Sequence, residues 1–180
     1  GGLTATSVVA LPVSAAIVTI LWRLARDAAP AVPPLGAAVA VAAGIVAGLP
    51  IWTPRAQLWD LLFILACTWL WRRYLRTGHV APLAIIPLIT VAWANLHGSG
   101  VLAFPTCLVA LAVAIPVGMR WSVWSRPRLR PLVISSVVAL ATLAINPYGP
   151  TIPLYPFDPA VASAFHPAID EWRSPDFDEV

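Results

Sequence analysis

The polar side chains that could do chemistry in this sequence stand next to long apolar runs. Arg55, Gln57 and Asp60 lie close together, and Asn95 and His97 form a second group later in the chain. Arginine and histidine can hold phosphate groups, and carboxylates can take the proton of an attacking hydroxyl. Because ionisable groups at membrane depth are costly, such residues in an apolar chain mark a candidate functional site.

A third polar group follows the last apolar run. It consists of Asn146, Tyr148, Asp170, Glu171 and Arg173. If all three groups lie at the same end of a helical bundle, they form one extracytoplasmic site. The sequence therefore predicts a site made from three separate turns.

Each of these residues also has a purely structural interpretation. Arg55 could face lipid phosphates, and His97 could cap a tight turn. Asp60 could pair with Arg55, because both stand about one helical turn apart at the start of the same helix. Asp170 and Glu171 could be ordinary solvated acids.

The composition shows which elements must position these groups. The chain is 59% hydrophobic and 11% charged, whereas a soluble domain averages about 25% charged residues. Residues 1–22, 28–54, 77–119 and 131–157 contain no Asp, Glu, Lys or Arg. A helix crosses a bilayer core of about 30 Å with about 20 apolar residues. The run 77–119 is therefore long enough for two crossings, and each of the others for one.

Apolar runs and helix breakers together predict a fold class and a domain division. The fold class is all-α, a multi-pass transmembrane bundle occupying 1–146. Its helices are predicted at 4–24, 35–52, 57–72, 81–96, 99–118 and 132–146. Residues 147–180 are rich in proline, which forbids a regular helix there. We expect an extracytoplasmic segment that lies on the outer membrane face.

The basic residues predict the orientation of this bundle. Basic residues in short loops mark the cytoplasmic side of a membrane protein. If the chain starts outside, nine of the eleven basic residues fall in the cytoplasm, and Arg55 and Arg173 lie outside. The nine are Arg23, Arg26, Arg72, Arg73, Arg76, Arg120, Arg126, Arg128 and Arg130. The expected location is the cytoplasmic membrane of a bacterium, with both ends of the chain outside and no nucleic-acid partner.

Tryptophan and proline add two further expectations. Seven tryptophans fall at predicted helix ends, where their rings prefer the headgroup zone; they are Trp22, Trp52, Trp69, Trp71, Trp93, Trp121 and Trp124. Four prolines fall inside predicted helices; they are Pro12, Pro87, Pro105 and Pro116. Neighbouring helices in a bundle can satisfy the carbonyl groups that these prolines leave without a donor, so we expect kinks there.

The sequence gives no sign of a metal or nucleotide site. Cys67 and Cys107 stand within apolar segments, where free cysteine behaves as a small hydrophobic residue. No cluster of metal ligands, Gly-rich phosphate loop or nucleophile elbow occurs. The cofactor is unknown, and nothing in the sequence calls for a divalent metal.

Four motifs occur in order, with apolar segments between them. They are TPRAQLWDLLF, ITVAWANLHGSGVL, AINPYGPTIPLYPF and IDEWRSPDF, within residues 53–177. This pattern resembles a widespread group of uncharacterised bacterial multi-pass proteins. That group is similar in layout to the C-superfamily of membrane glycosyltransferases, which take sugars from polyprenyl-phosphate carriers on the outer face. The first motif departs from the Arg-Pro-Gln turn of the group.

The resemblance implies a polyprenyl-phosphate-dependent glycosyltransferase-like protein, with membrane lipid and a lipid-linked sugar as partners. Arg55 or His97 would hold the phosphate, and Asp170 or Glu171 would orient the acceptor. Trp172 would stack on a sugar or cover the polyprenyl head, so that residues 147–180 act as a lid. The catalytic acid of the superfamily lies on its first outer loop, which we expect before Gly1 in a longer protein.

The alternative is a non-enzymatic membrane protein, either a scaffold for envelope assembly or a transporter, in which residues 147–180 are a plain connector. A transporter should show internal repeats and broken helices that meet at the midplane. The polar residues here stand at the predicted outer rim instead, which disfavours transport of ions or protons.

Overall fold

The computed structural model describes residues 2–48, 52, 57–96, 102–103, 106–109, 112, 126–151 and 158. Five long helices account for most of them: α1 (Gly2–Ala28), α2 (Pro34–Ala47), α3 (Gln57–Thr77), α4 (Ala81–Leu96) and α5 (Arg126–Thr142). Short helical pieces occur at 102–103 and 106–109, and none of the described residues is in a strand. The prediction of an all-α fold is confirmed.

The bounds of the helices agree with the predicted apolar runs most closely at α4. The bounds of α4 are those predicted, 81–96. The helices α1 and α3 continue beyond their apolar runs, to Ala28 and Thr77, because Arg and Leu are good helix formers whether or not they lie in an apolar run. Helix α2 ends at Ala47 instead of 52, and its C-cap is Gly48, whose N–H bonds to the Gly44 and Ile45 carbonyls.

Helix α5 lies four to six residues earlier than the run 132–146 predicted, from Arg126 to Thr142. Proline is well tolerated in the first turn of a helix, where its missing N–H has no intrahelical partner to lose, and Pro127 occupies that turn. After Thr142 the chain tightens, and the N–H of Ile145 bonds to the Thr142 carbonyl three residues back. Pro147 disfavours helical backbone at the residue before it, so the helix cannot continue.

Helices α1 and α3 run parallel. Near the start of α3, Leu58 packs with Val13 and Ile17 of α1. Near its end, Arg76 forms an ion pair with Asp27. The ends of α1 and α3 and the starts of α4 and α5 therefore lie together at one end of the bundle, which we call the arginine-rich end. Its described basic residues are Arg23, Arg26, Arg72, Arg73, Arg76 and Arg130.

Helices α4 and α5 also run parallel, with a constant offset. The Ser135 hydroxyl donates to the Leu83 carbonyl at 2.9 Å, and the hydroxyls of Thr90 and Thr142 are 2.7 Å apart; both pairs are separated by 52 residues. Because the two helices point the same way, the chain between them must return from one end of the bundle to the other. Of the helix predicted at 99–118, the structure describes residues 102–103, 106–109 and 112.

The described residues of that returning segment lie at successive levels of the core. Ala103 packs with Trp93 and Leu143, near the ends of α4 and α5. Cys107 packs one turn further along, with Leu70 and Leu132. The order of these contacts is that of a chain moving toward the arginine-rich end.

Pro87 shows how a neighbouring helix can satisfy a carbonyl that a helix proline leaves without a donor; Pro105 and Pro116 lie outside the described residues. It has no N–H, so the carbonyl of Leu83 loses its intrahelical donor. The hydroxyl of Ser135, on α5, donates to that carbonyl instead. Further along, the Thr90 hydroxyl donates to the Pro87 carbonyl at 2.9 Å and lies 2.7 Å from the hydroxyl of Thr142 on α5. Hydroxyl groups thus join α4 and α5 along their length.

The outward faces of the helices carry large apolar side chains. Leu11 is 72% exposed, Leu35 76% and Leu88 69%. Among the described residues, one helix, Val8–Ala28, is both long and apolar enough to cross a membrane. Pro34–Ala47, Ala81–Leu96 and Leu129–Thr142 are apolar but shorter.

Candidate functional site

The end of the bundle opposite the arginines brings together residues from all three of the predicted polar groups. We call it the Asp60 end; α3 begins there, and α4 and α5 end there. Its defining contact joins α3 to α4, where the indole N–H of Trp93 donates to Asp60 Oδ1 at 2.8 Å. A hydrogen bond to a carboxylate is stronger than one between neutral groups, so this contact fixes the position of the Asp60 side chain.

Trp93 is therefore not part of the headgroup belt that the sequence predicted. Its side chain is fully buried, and its ring lies 5.6 Å from that of Phe63. Phe63 in turn stacks with Trp59 at 5.9 Å. A tryptophan with a carboxylate partner in the core is better placed there than at an interface, because its one polar atom is satisfied. The predicted partner of Asp60, Arg55, lies outside the described residues.

Asn95 links the ends of α4 and α5. Its side-chain amide donates to the Val91 carbonyl at 2.8 Å and to the Ile145 carbonyl at 2.7 Å. The second bond satisfies the carbonyl of Ile145, which lies three residues beyond the end of α5. Asn95 is exposed, so it lies at the surface of the Asp60 end.

The Asn-Pro-Tyr-Gly motif forms a compact turn after α5. The Asn146 amide donates to the carbonyls of Leu143 and Gly149, and its Oδ1 accepts from the Tyr148 N–H at 2.7 Å. Gly149 has φ +61°, a conformation that costs other residues about 1–2 kcal/mol. Pro147 supplies the fixed φ that a turn needs. The motif thus stops α5 and leaves Tyr148 74% exposed.

The other predicted site residues can be located only in part. Gln57 is the first residue of α3 and is exposed at the Asp60 end. Arg55, His97, Glu171 and Trp172 lie outside the described residues. In the part of the chain that the structure describes, no group of His, Cys, Asp and Glu residues could hold a metal ion.

The arginine-rich end is held by contacts of a different kind. The guanidinium groups of Arg23 and Arg73 lie over the Trp69 ring, at 5.3 Å and 5.6 Å from its centre. Arg76 pairs with Asp27, and Arg26 donates to the Val32 carbonyl at 2.6 Å. These contacts keep the end of α1 against the end of α3.

The sequence does contain a signal for the Asp60 contact, although apolar runs and helix breakers do not reveal it. Asp60 is the single acid in α3, and a lone acid among apolar residues needs a donor from a neighbouring helix. Tryptophan N–H groups at the ends of neighbouring helices are the natural candidates.

No protein family, curated protein or solved structure matches this chain.

Proposed function

We propose that this chain is a multi-pass integral membrane protein. In support, its outward faces carry aliphatic side chains such as Leu11, Leu35 and Leu88, whereas a soluble helix turns its polar side outward. Hydrophobic driving force is absent between helices in lipid, and hydroxyl groups commonly join them there. The hydroxyl bonds between α4 and α5 are of this kind. The 21 residues of α3 span about 32 Å at 1.5 Å each, which is close to the bilayer core.

The arginines support one orientation of the bundle. All of the described arginines lie at one end, and basic residues in short loops stay in the cytoplasm. In this orientation the Asp60 end faces the extracytoplasmic side of a bacterial cytoplasmic membrane. The acidic segment 147–180 follows α5 at that end.

We propose further that the Asp60 end binds a polyprenyl-phosphate-linked sugar and serves glycosyl transfer. The observation that carries this proposal is the convergence of Asp60, Asn95 and the Asn146 turn, from three distant segments, at the end opposite the arginines. Apolar runs adjoin all three segments, so a prenyl chain could lie along the helices while its phosphate meets polar groups.

The chemistry needs a cation for the phosphate and a carboxylate for the acceptor. The acceptor hydroxyl would attack the anomeric carbon, the bond from that carbon to the phosphate oxygen would break, and the phosphate would leave with the bonding electrons. A carboxylate takes the proton of the hydroxyl. Arg55 or His97 would bind the leaving phosphate, as donors placed where charge develops. Asp60 and Glu171 are candidates for the carboxylate.

Binding of polyprenyl phosphate to the chain in nanodiscs tests this proposal. Uncharged polyprenol should bind at least tenfold more weakly than polyprenyl phosphate if a guanidinium holds the phosphate, since each charge-assisted bond contributes about 1.5–3 kcal/mol. Arg55→Gln should remove this preference. Arg76→Gln, at the opposite end, is the matched control and should keep it. Equal binding of the two lipids to the unmodified chain would exclude the proposed site.

A scaffold role is the second candidate, and one observation favours it. Asp60 and Asn95 both bond across helices, so both serve packing whatever else they do. A scaffold would tolerate Arg55→Gln and His97→Gln with no change in lipid binding, but would lose its fold with Asp60→Ala.

A further inference from the structure

A cavity of about 610 Å³ lies between α1, α2 and α3, on the side of α3 away from α4. The wall from α3 consists of Leu61, Thr68 and Arg72. These positions are seven and four residues apart, so they lie on one face of the helix and extend along it for about 16 Å. The rest of the wall is apolar and includes Leu24 of α1 and Ala40 and Gly44 of α2.

The cavity reaches into α2 at Gly44. A methyl group added there would meet no other atom within 4 Å. The space beside Gly44 is therefore open, and a larger side chain at this position would enter the cavity.

Arg72 gives this cavity a charged end. Its Nε is buried and has no hydrogen-bond partner among the described residues. Its neighbours at the arginine-rich end differ in this respect, because Arg76 pairs with Asp27 and Arg73 lies over Trp69. Arg72 as a whole is half-buried, but an N–H that is shielded from water and has no acceptor is costly. An anion at the cavity mouth would satisfy it.

The combination of an apolar cavity and an unpartnered guanidinium fits one class of ligand. The cavity length of about 16 Å is about half of the bilayer core of about 30 Å, which is the depth that one acyl chain reaches from its own leaflet. Arginine binds phosphate with two parallel hydrogen bonds. Both features are those of an anionic phospholipid that enters from the leaflet at the arginine-rich end.

We propose that the cavity between α1, α2 and α3 holds one acyl chain of an anionic phospholipid, with the lipid phosphate bound by Arg72. The lipid would fill the space that α2, with its small side chains, leaves against α3. The proposal rests on the membrane location proposed above, but it does not depend on glycosyl transfer. The phosphate would lie at the arginine-rich end, and the acyl chain would extend to the level of Leu61 on the side of α3 away from α4. The site is therefore separate from the contact of Asp60 with Trp93.

Lipid retention, measured by native mass spectrometry of the full chain, tests the proposal. The chain would be exchanged into detergent from nanodiscs that contain equal amounts of phosphatidylglycerol and phosphatidylcholine. We expect one retained phosphatidylglycerol per chain, in at least about tenfold preference over phosphatidylcholine, as a charge-assisted contact predicts. Arg72→Gln should reduce this preference to about twofold or less.

Three further variants make the result specific. Arg76→Gln removes the same charge from the same end, but from a side chain that already has a partner, so it should keep the preference. Gly44→Leu narrows the cavity and leaves Arg72 in place, so it should lower retention of both lipids, while Gly44→Ala should not. Circular dichroism of each variant establishes that the helices are retained.

Three results would overturn the proposal. The first is equal retention of the two lipids by the unmodified chain. The second is an equal loss of the preference for phosphatidylglycerol in Arg72→Gln and Arg76→Gln. The third is retention of both lipids by Gly44→Leu at the level of the unmodified chain. A chain that fractionates away from membranes contradicts the membrane location itself. A chain that is integral to the membrane but retains phosphatidylglycerol in Arg72→Gln contradicts the lipid site alone.

Discussion

Removing the hydroxyl of Ser135 should destabilise the bundle, because that hydroxyl is the donor to a carbonyl which Pro87 has left without one. Ser135 is 7% exposed, and its bond to the Leu83 carbonyl is 2.9 Å long. A buried polar group left without a partner costs about 1–3 kcal/mol, and hydrogen bonds between membrane helices contribute about 0.6 kcal/mol on average and up to about 1.7. We expect Ser135→Ala to lower the free energy of unfolding by about 1–2 kcal/mol. This is at the upper end of the contributions that hydrogen bonds between membrane helices make.

The next residue provides the matched control. Ser136 is 2% exposed, and its buried hydroxyl bonds to no backbone carbonyl of another described helix; the side chain within its reach is the Cys107 thiol. Ser136→Ala removes the same atom at the same depth of the same helix, but at most a weak contact with a thiol. We expect it to change the free energy of unfolding by less than about 0.5 kcal/mol, because no carbonyl loses its donor.

A double-mutant cycle then isolates the bond itself. Pro87→Ala gives residue 87 an N–H that can bond to the Leu83 carbonyl within α4, so that Ser135 is no longer its required donor. Ser135→Ala should therefore cost about 1 kcal/mol less in the Pro87→Ala background than alone. The free energies would be measured by reversible unfolding in mixed micelles of detergent and dodecyl sulphate, followed by circular dichroism. Equal effects of Ser135→Ala and Ser136→Ala, or additive effects in the cycle, would refute this account of how α4 tolerates Pro87.

Two further predictions concern the Asp60 end. Trp93→Phe keeps the packing against Phe63 but removes the donor to Asp60, and should lower the free energy of unfolding by about 1.5–3 kcal/mol in the same assay; a loss below about 0.5 kcal/mol would show that the bond does not hold α3 to α4. Gly149→Ala should cost about 1–2 kcal/mol because φ there is +61° and L-residues disfavour that conformation; a melting temperature equal to that of the unmodified chain would contradict it.

The sequence predicted the helices better than it predicted their ends. For α4 the apolar run and the helix coincide, since Gly78 precedes the run and the breaker-rich NLHGSG follows it. At α1 and α3 the run stops at the first arginine, but the helix does not. An apolar run indicates which side chains can lie in lipid. The end of a helix depends instead on its backbone hydrogen bonds, and Arg side chains do not disturb these.

The sequence predicted the direction in which each helix runs, but it did not predict which side chains meet between the helices. The order of the helices, deduced from the apolar runs and breakers, predicts that α3 starts at the end where α4 and α5 finish, and the contacts of Asp60 and Asn95 agree. That Trp93 faces Asp60 does not follow from its position near the end of α4, because position along a helix leaves the direction of a side chain undetermined. Likewise, the offset that pairs Ser135 with Leu83 depends on how two helices slide, which no local pattern specifies. The predicted roles of Arg55, His97, Glu171 and Trp172 stay predictions.

The central claim is that this bundle crosses a bacterial cytoplasmic membrane with its arginine-rich end inside. Single-cysteine labelling in intact cells tests it most directly, in a background where the buried Cys67 and Cys107 are replaced by alanine. Gln57→Cys lies at the Asp60 end, and Thr77→Cys lies at the arginine-rich end. We predict that a membrane-impermeant maleimide labels position 57 in intact cells, and labels position 77 only after the cells are permeabilised. Ser125→Cys, before α5, should behave as Thr77→Cys does. Labelling of position 77 or 125 in intact cells would contradict the account.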